Sequence, residues 1–407
     1  MKILIVSSWY PPILSGSSLW AESLVGALRK RHHDVRVVTT EAKGALKEPQ
    51  GAREEMVYRL PARLVPRNRF LLGLSIVPLA WSPANRRRML EIVRDFKPDV
   101  IHQVNHIFDT VFLSAYAARQ TGTLLVGSIT TPIQSKSALA HTLMHWADLA
   151  TVYHFGVRHW QRIICSDSTQ ARYVLDSYGK RVAGRVVTDI YAGVHERIRQ
   201  KAAHERTPFP QIVMVGHIHP IRDPTNLIRA MPAILKRCPE ARLDIAGRIQ
   251  FERPIMEVRR LGLESAVSFL GEVPSERVVE LVSKAHVFAI LHQCPYAGLS
   301  FTAIEAMQFE TPVVINAPSD LYGPGVVKDG ENLLLVNGDD VSEIARKILR
   351  LLEDKALRER IGRNGKEFVQ TYLNWDLTAE KTERLYEKLL GRAEGPSNAP
   401  QPRMALR

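Results

Sequence analysis

The sequence predicts an α/β protein made of two Rossmann-like, doubly wound parallel-sheet domains in series, facing a central cleft. Three observations point there: short β-branched apolar runs alternate with helix-patterned stretches, the alternation restarts after a polar, proline-punctuated segment, and 407 residues exceed one core of ordinary size.

The start, Lys2-Ile3-Leu4-Ile5-Val6-Ser7, is a continuous apolar run, followed by Tyr10-Pro11-Pro12 and Ser15-Gly16 and then by Leu19, Leu24 and Leu28 at helical spacing. That pattern reads as strand, loop and helix. Val35-Arg36-Val37-Val38-Thr39 supplies the next strand, and similar runs recur at 100–101, 124–126, 162–165 and 186–190. Continuous rather than alternating apolar strands imply a parallel sheet covered on both faces. The stretch 198–210 reads as a linker. Ile212-Val213-Met214-Val215-Gly216 then opens a second set, continued at 243–246, 267–270, 287–290 and 312–315. In the helix expected at 341–352, Asp339 or Asp340 is the cap, and Val341, Ile344, Ala345, Ile348, Leu351 and Leu352 share one face. A last helix at about 375–390 gives way to a disordered tail, 392–407. The expected domains are therefore 1–200 and 205–373.

Lys+Arg 55 against Asp+Glu 42 gives a net charge of +13, with 45% hydrophobic and 24% charged residues, which excludes disorder, collagen and a polytopic membrane protein. The longest apolar run, 70–81, is interrupted by Pro78 and is shorter than the roughly 20 residues of a spanning helix. No secretory signal is expected, because residues 1–7 read as a strand. Cys165, Cys238 and Cys294 lie far apart, fit no metal spacing and cannot all pair, which fits a reducing cytoplasm. The positive surplus suits nucleic acid, a lipid surface or an anionic small molecule; without an RNA- or DNA-binding motif, nucleic acid is not expected. Arg67 and Arg69 precede an apolar stretch at 70–77, and Arg86-Arg87-Arg88 follow Trp81. This segment reads either as a peripheral contact with an anionic membrane or as a loop and helix packed on the first sheet with solvated arginines.

Two stretches carry the chemistry. In Ala297-Gly298-Leu299-Ser300-Phe301, the glycine and serine precede a helix whose first backbone N–H groups favour an anion, while Glu305, a turn further on, suits two vicinal hydroxyls such as a ribose offers. The bland alternative is a Ser-capped helix with a solvated glutamate. In Gly216-His217-Ile218-His219-Pro220-Ile221-Arg222-Asp223, glycine admits close backbone approach and Arg222 suits phosphate oxygens; a solvated loop arginine is the alternative. Taken together, the two stretches read as a cationic pocket for a nucleoside diphosphate. Asn105 and His106 read as acceptor-side contacts or as helix-capping polar residues. His141 and His145 stand at i, i+4, a metal-compatible spacing, but lack a clear third ligand, so no metal and no cofactor is expected.

Several of these pieces, in order, resemble the retaining family 4 glycosyltransferases of the GT-B fold. They are Tyr10-Pro11-Pro12 with Ser15-Gly16, His33-Asp34-Val35, Lys97-Pro98-Asp99-Val100-Ile101-His102, the loop from Gly216, Leu270-Gly271, Glu305-Ala306-Met307 with Thr311-Pro312-Val313-Val314, and the run from Val327 to Val336. The resemblance reaches from Met1 to about Leu390. It implies transfer of a sugar from a nucleoside-diphosphate sugar to an unspecified acceptor, with retention at the anomeric carbon and without a divalent metal. No carboxylate stands where a double displacement would want a nucleophile, so same-face attack assisted by the leaving phosphate is the implied route. Glu305 would hold the donor ribose and Arg222 the diphosphate, with Arg222 and His217 stabilising the leaving charge. Backbone of Gly298, Leu299 and Ser300 would contact the donor, Gly16 would line the phosphate side, and Gly271 to Val273 would cradle the base. Asn105, His106 and Thr130 would lie on the acceptor side, and the helix at 374–391 would return to the first domain. The chain departs from the family pattern at four places. Ala297 stands where a glutamate precedes Glu305 by eight positions, His217 replaces a stronger base, Thr130 or Thr131 replaces a histidine, and Ala192-Gly193-Val194-His195 replaces Asn-Gly-Val-Asp. They fit an unusual donor or acceptor, or a nucleotide-sugar-binding protein that has lost transfer.

Overall fold

The computed structural model describes residues 1–13, 15–41, 56–66, 76–133, 138–195, 198 and 205–392. Arg67, Arg69, the apolar residues 70–75, most of the expected linker and the tail from 393 lie outside the described residues. Two compact units divide the chain, Met1–Ala192 with Trp375–Pro400, and Gly193–Asn374.

In the first unit, β1 (Lys2–Ser7), β2 (Asp34–Glu41), β3 (Val57–Pro61), β6 (Val100–Val104), β7 (Leu124–Ile129), β8 (Arg162–Cys165) and β9 (Val186–Val187) form one sheet in the order β3-β2-β1-β6-β7-β8-β9. Every pairing is parallel, with Ile3 opposite both Val35 and Val100. Ile3, Leu4, Ile5 and Val6 are fully buried, as the continuous apolar run requires of a strand covered on both faces. The run expected at 186–190 shrinks to Val186–Val187, because β9 is an edge strand with only β8 beside it. Between Arg63 and Leu79, the short strands β4 (Arg63–Pro66) and β5 (Ile76–Leu79) pair antiparallel, a hairpin that neither sequence reading anticipated.

The crossovers start and stop where local chemistry dictates. In α1 (Gly16–Lys30), the Ser15 hydroxyl accepts the Ser18 N–H; in α2 (Pro83–Phe96), Ser82 caps, Pro83 opens the first turn, and Lys97 at φ 52° ends the helix before Pro98. α3 (Thr110–Thr121) stops at Gly122 in the left-handed region. Arg86 of α2 stacks over Trp81 and Tyr116, whereas Arg87 and Arg88 are exposed. α4 (Ala138–Asp148) carries His141 and His145, and α5 (Ser168–Tyr178) is capped by Asp167. Among the described residues, no three His, Cys, Asp or Glu side chains gather around a metal position, and no helix is long and apolar enough to cross a membrane.

The second unit repeats the plan. β10 (Gln211–Val215), β11 (Arg242–Ala246), β12 (Val267–Gly271), β13 (Val287–Ile290), β14 (Val313–Ile315) and β15 (Leu334–Leu335) run parallel in the order β12-β11-β10-β13-β14-β15. α6 (Thr225–Arg237), α7 (Arg253–Leu261), α8 (Ser275–Lys284), α9 (Phe301–Gln308), α10 (Val341–Glu353) and α11 (Lys355–Tyr372) complete it. Asp340, not Asp339, caps α10 by accepting the Glu343 N–H at 2.8 Å. The units divide upstream of the boundary expected near 200, because the backbone N–H of Val194 donates to Leu373 O at 3.1 Å and Val194, His195 and Ile198 are already buried.

The last helix, α12 (Trp375–Leu389), belongs to the first unit. Trp375 meets Trp20 edge-on at 5.8 Å, Lys381 Nζ donates to Asp189 O at 2.6 Å, and the fully buried Tyr386 hydroxyl bonds His102 Nδ1. His102 Nε2 in turn meets Ser128 Oγ at 2.7 Å. Burial holds the His102 imidazole at a pKa of about 3, so this buried relay is neutral at every ordinary pH. Tyr386→Phe leaves Nδ1 without its partner and is expected to lower unfolding free energy by about 1–3 kcal/mol in urea melts, at unchanged m-value.

Candidate functional site

Both sheets reverse strand order beside their first strand, the point at which doubly wound folds bind ligands at the carboxyl ends. In the second unit, β10, β11 and β12 each end in a glycine of positive φ: Gly216 at 144°, Gly247 at 140° and Gly271 at 66°. Hydrogen bonds link them, Gly216 N–H to Ala246 O at 2.8 Å and Gly247 N–H to Gly271 O at 2.7 Å. A side chain on Gly247 would put its Cβ 2.1 Å from Gly216 O, and one on Gly216 would reach 2.3 Å from Arg222 Nη1. Glycine at 247 is thus a steric requirement where the two backbones meet, and a φ of 144° favours glycine at 216.

Arg222 lies in the loop between β10 and α6. Among the described residues its Nε is buried with no acceptor, and burial alone pushes the guanidinium below its ordinary range, with no carboxylate offsetting it. The adjacent Asp223 is occupied elsewhere: it accepts the Thr225 backbone N–H at 3.0 Å and pairs with Arg253 at 3.4 Å. A buried cation without a counter-charge is costly, and it fits a pocket completed by an anion.

The second sequence-derived stretch converges on the same strand end. Thr302 Oγ1, in the first turn of α9, donates to Val215 O at 3.1 Å. Ser300 caps that helix, its hydroxyl accepting the Ala303 N–H at 3.2 Å, and Gly298, Leu299 and Ser300 form the partly exposed approach. Glu305 is buried, 9% exposed, not solvated as the alternative reading had it, and burial pushes its carboxyl up to about 7. Among the described residues no cation offsets its charge, so it suits hydroxyl donors better than an anion.

His217 is exposed, its Nδ1 accepting the Arg248 N–H at 3.3 Å and lying 4.0 Å from Glu272. Burial, then Arg248 and Arg222, push its pKa down against the pull of Glu272, so it is neutral at pH 7. Val273, two residues after Gly271, is partly exposed.

The remaining candidates lie in the first unit. Gly16 is exposed in the first turn of α1. Asn105, at φ 63°, and His106 are buried: the Asn105 side chain accepts the His106 N–H at 2.9 Å, and His106 Nε2 meets Tyr173 OH at 3.1 Å. Neither caps α3, whose N-cap position is Asp109, and burial holds His106 neutral with a pKa of about 3. Thr130 Oγ1 is buried without a partner. Sequence reasoning missed Gly247, although the strand-then-glycine pattern of Ala246-Gly247 matches Val215-Gly216 and Leu270-Gly271. It also missed His292 and Thr302, for which no local pattern gives a signal.

The family described as glycosyl transferases group 1 matches residues 195–368, and a glycosyl transferase 4-like domain matches residues 15–188. A D-inositol 3-phosphate glycosyltransferase from Corynebacterium jeikeium is 31% identical over 186 residues, covering 44% of this chain and 43% of that relative, so the match spans less than half of the relative's length. Among solved structures, the sucrose-phosphate synthase of Thermosynechococcus elongatus is similar with a TM-score of 0.73 at 20% identity, covering 96% of this chain and 100% of that one. The Anabaena HepE protein in complex with UDP and glucose gives 0.69 at 17% identity over 95% and 100%. At these identities the two structures establish the fold.

The raised Glu305 pKa has a signed consequence for stability. Its carboxyl holds a proton up to about pH 7 when folded but only to about 4.5 when unfolded, so its burial costs nothing below pH 4.5 and costs most above pH 7. In thermal melts, Glu305→Gln is expected to match the parent near pH 4.5 and to gain over it as pH rises, reaching on the order of 3 kcal/mol above pH 7.

Proposed function

The chain belongs to the family 4 glycosyltransferases of the GT-B fold, and from that premise we propose that it moves a sugar from a nucleoside-diphosphate sugar to an acceptor with retention at the anomeric carbon. The observation that carries this reading is Arg222, a guanidinium with a buried Nε and no counter-charge, beside the glycine-lined ends of β10 and β11. A diphosphate supplies two negative charges to such a position and relieves its desolvation.

Glu305 supports the same reading, since a buried carboxyl poised near neutrality takes the hydroxyls of a ribose without demanding a cation. Backbone N–H groups of the α9 turn after Ser300 face developing negative charge on the leaving phosphate favourably. Main chain near Gly271 and Val273 takes the base, and Gly16 the phosphate side of the donor. His217 enters neutral, so Arg222 carries the electrostatic work at the leaving group, while His217 offers a hydrogen bond. Asn105, His106 and Thr130 support the acceptor side from beneath the surface. The reaction requires no metal in this reading, and the leaving diphosphate assists attack on the face it departs from. The enzyme would work in the cytoplasm, with exposed Arg87 and Arg88 available to an anionic membrane face.

One observation favours a second reading. Ala297 puts a methyl group where the family pattern has a carboxylate beside the transferred sugar, and a chain without it binds the donor but lacks one partner for a sugar hydroxyl. Calorimetric titration with UDP and GDP, combined with donor consumption across UDP- and GDP-sugars, separates the two. Transfer supports the enzyme, and binding with silence across a broad acceptor panel supports the binding protein. In that second case Ala297→Glu gains hydrolysis or transfer at unchanged nucleotide affinity. Arg222→Ala is expected to weaken nucleoside-diphosphate binding by about 10- to 100-fold under either reading, the loss of a charged hydrogen-bond set.

A further inference from the structure

We propose that His292 is a second phosphate-contacting residue of this site, its Nε2 donating a hydrogen bond to an oxygen of the bound diphosphate beside Arg222. The inference rests on the reading of the site as a nucleoside-diphosphate pocket. His292 stands two residues beyond the end of β13, the strand paired with β10, so it exits the sheet at the reversal of strand order, next to the loop that carries Arg222. The two loops are joined directly: Gln293 N–H donates to Ile221 O at 2.7 Å, which places Arg222 and His292 each one residue from the shared hydrogen bond.

The His292 side chain is 7% exposed, and its Nε2 is buried without any hydrogen-bond partner. Arg222 Nε is orphaned in the same way. One unsatisfied buried nitrogen is a cost a fold ordinarily avoids; two on adjoining loops share a single remedy, a ligand with several acceptor oxygens. A diphosphate is such a ligand. The backbone of His292 is fixed on both sides, its N–H donating to Asn316 Oδ1 and its carbonyl accepting from Asn316 Nδ2, each at 2.7 Å. Asn316 is itself confined, since a Cβ on Gly338 would come within 2.7 Å of Nδ2. The ring is therefore presented by a rigid frame, as a preorganised donor should be.

The electrostatics agree. Burial, then Arg222, then His219 push the imidazole down to about 3, so the ring is neutral at pH 7 and offers a single N–H. A neutral donor beside a cation adds geometric selection for a phosphate oxygen without a second desolvated charge. Ala297, where the family pattern has a carboxylate, lies five residues along the same loop.

Titration calorimetry of the full chain with UDP, GDP and their parent nucleosides tests this. His292→Leu is expected to weaken binding of the diphosphate by about 5- to 50-fold while leaving uridine or guanosine affinity unchanged; His292→Gln, whose Nε2 reaches about as far as the ring nitrogen, recovers most of the loss. Where leucine unfolds the unit, His292→Asn serves in its place, because its amide stops short of the same position. Equal diphosphate affinity in the variants and the parent overturns the proposal, as does a proportional loss for nucleoside and diphosphate, which marks a structural role. If the parent chain binds neither UDP nor GDP, the nucleotide reading itself fails, and the proposal falls with it.

Discussion

Placing an arginine where its Nε is buried and no carboxylate answers it costs on the order of several kcal/mol in an isolated protein, and the second unit accepts that cost at Arg222. The surrounding architecture makes it possible. Gly216 has a φ of 144° that favours glycine and lies against the guanidinium, and Gly247 has no side chain because the Gly216 backbone already lies against it. Asp223, the nearest acid in sequence, is drawn off to cap Thr225 and to pair with Arg253. Thr302 then ties the first turn of α9 to the last carbonyl of β10, so the helix start and the cation are set by one strand end.

The same economy explains Glu305. A carboxyl buried on α9 without a cation is as unfavourable, when charged, as Arg222 is, and the two do not neutralise one another. An unanswered cation suits an anion and a carboxyl near neutrality suits hydroxyl groups; under the proposed reading a nucleoside diphosphate offers both, which is why the pair is more informative than either residue alone. Under the proposed reading stability and function oppose each other here: each substitution that removes a buried charge favours the folded chain and is expected to weaken ligand binding.

The first unit is organised around a different constraint. α12 comes from the far end of the chain yet completes this unit's core, with Tyr386 and Trp375 meeting His102 and Trp20 beneath the sheet. The ring nitrogens of His102 are both engaged, and burial keeps them uncharged. His106 is likewise buried and bonded to Tyr173. Two of the histidines that in sequence invite metal or catalytic readings, His102 and His106, are thus neutral polar bridges inside the first unit.

Much of this was legible from residue order. Continuous β-branched runs marked the central strands because a strand buried on both faces tolerates little else, and Ser, Pro, Asp and Gly marked helix ends because the unpaired backbone groups there need specific chemistry. The short edge strand β3 and the β4–β5 hairpin escaped, and the run at 186–190 overstated β9, since an edge strand is half solvated and its pattern is weak. The sequence by itself determined the two α/β units and the family, and it singled out Arg222 and Glu305 as candidates, all of which depend on local periodicity or on motif spacing. Only the tertiary structure decided that Glu305 is buried rather than solvated, that Arg222 lacks a counter-charge among the described residues despite its neighbour Asp223, and that Gly247 and His292 lie at the neighbouring strand ends. Those facts depend on which strand ends lie side by side, and adjacency across β10, β11 and β13 brings together residues that are distant along the chain.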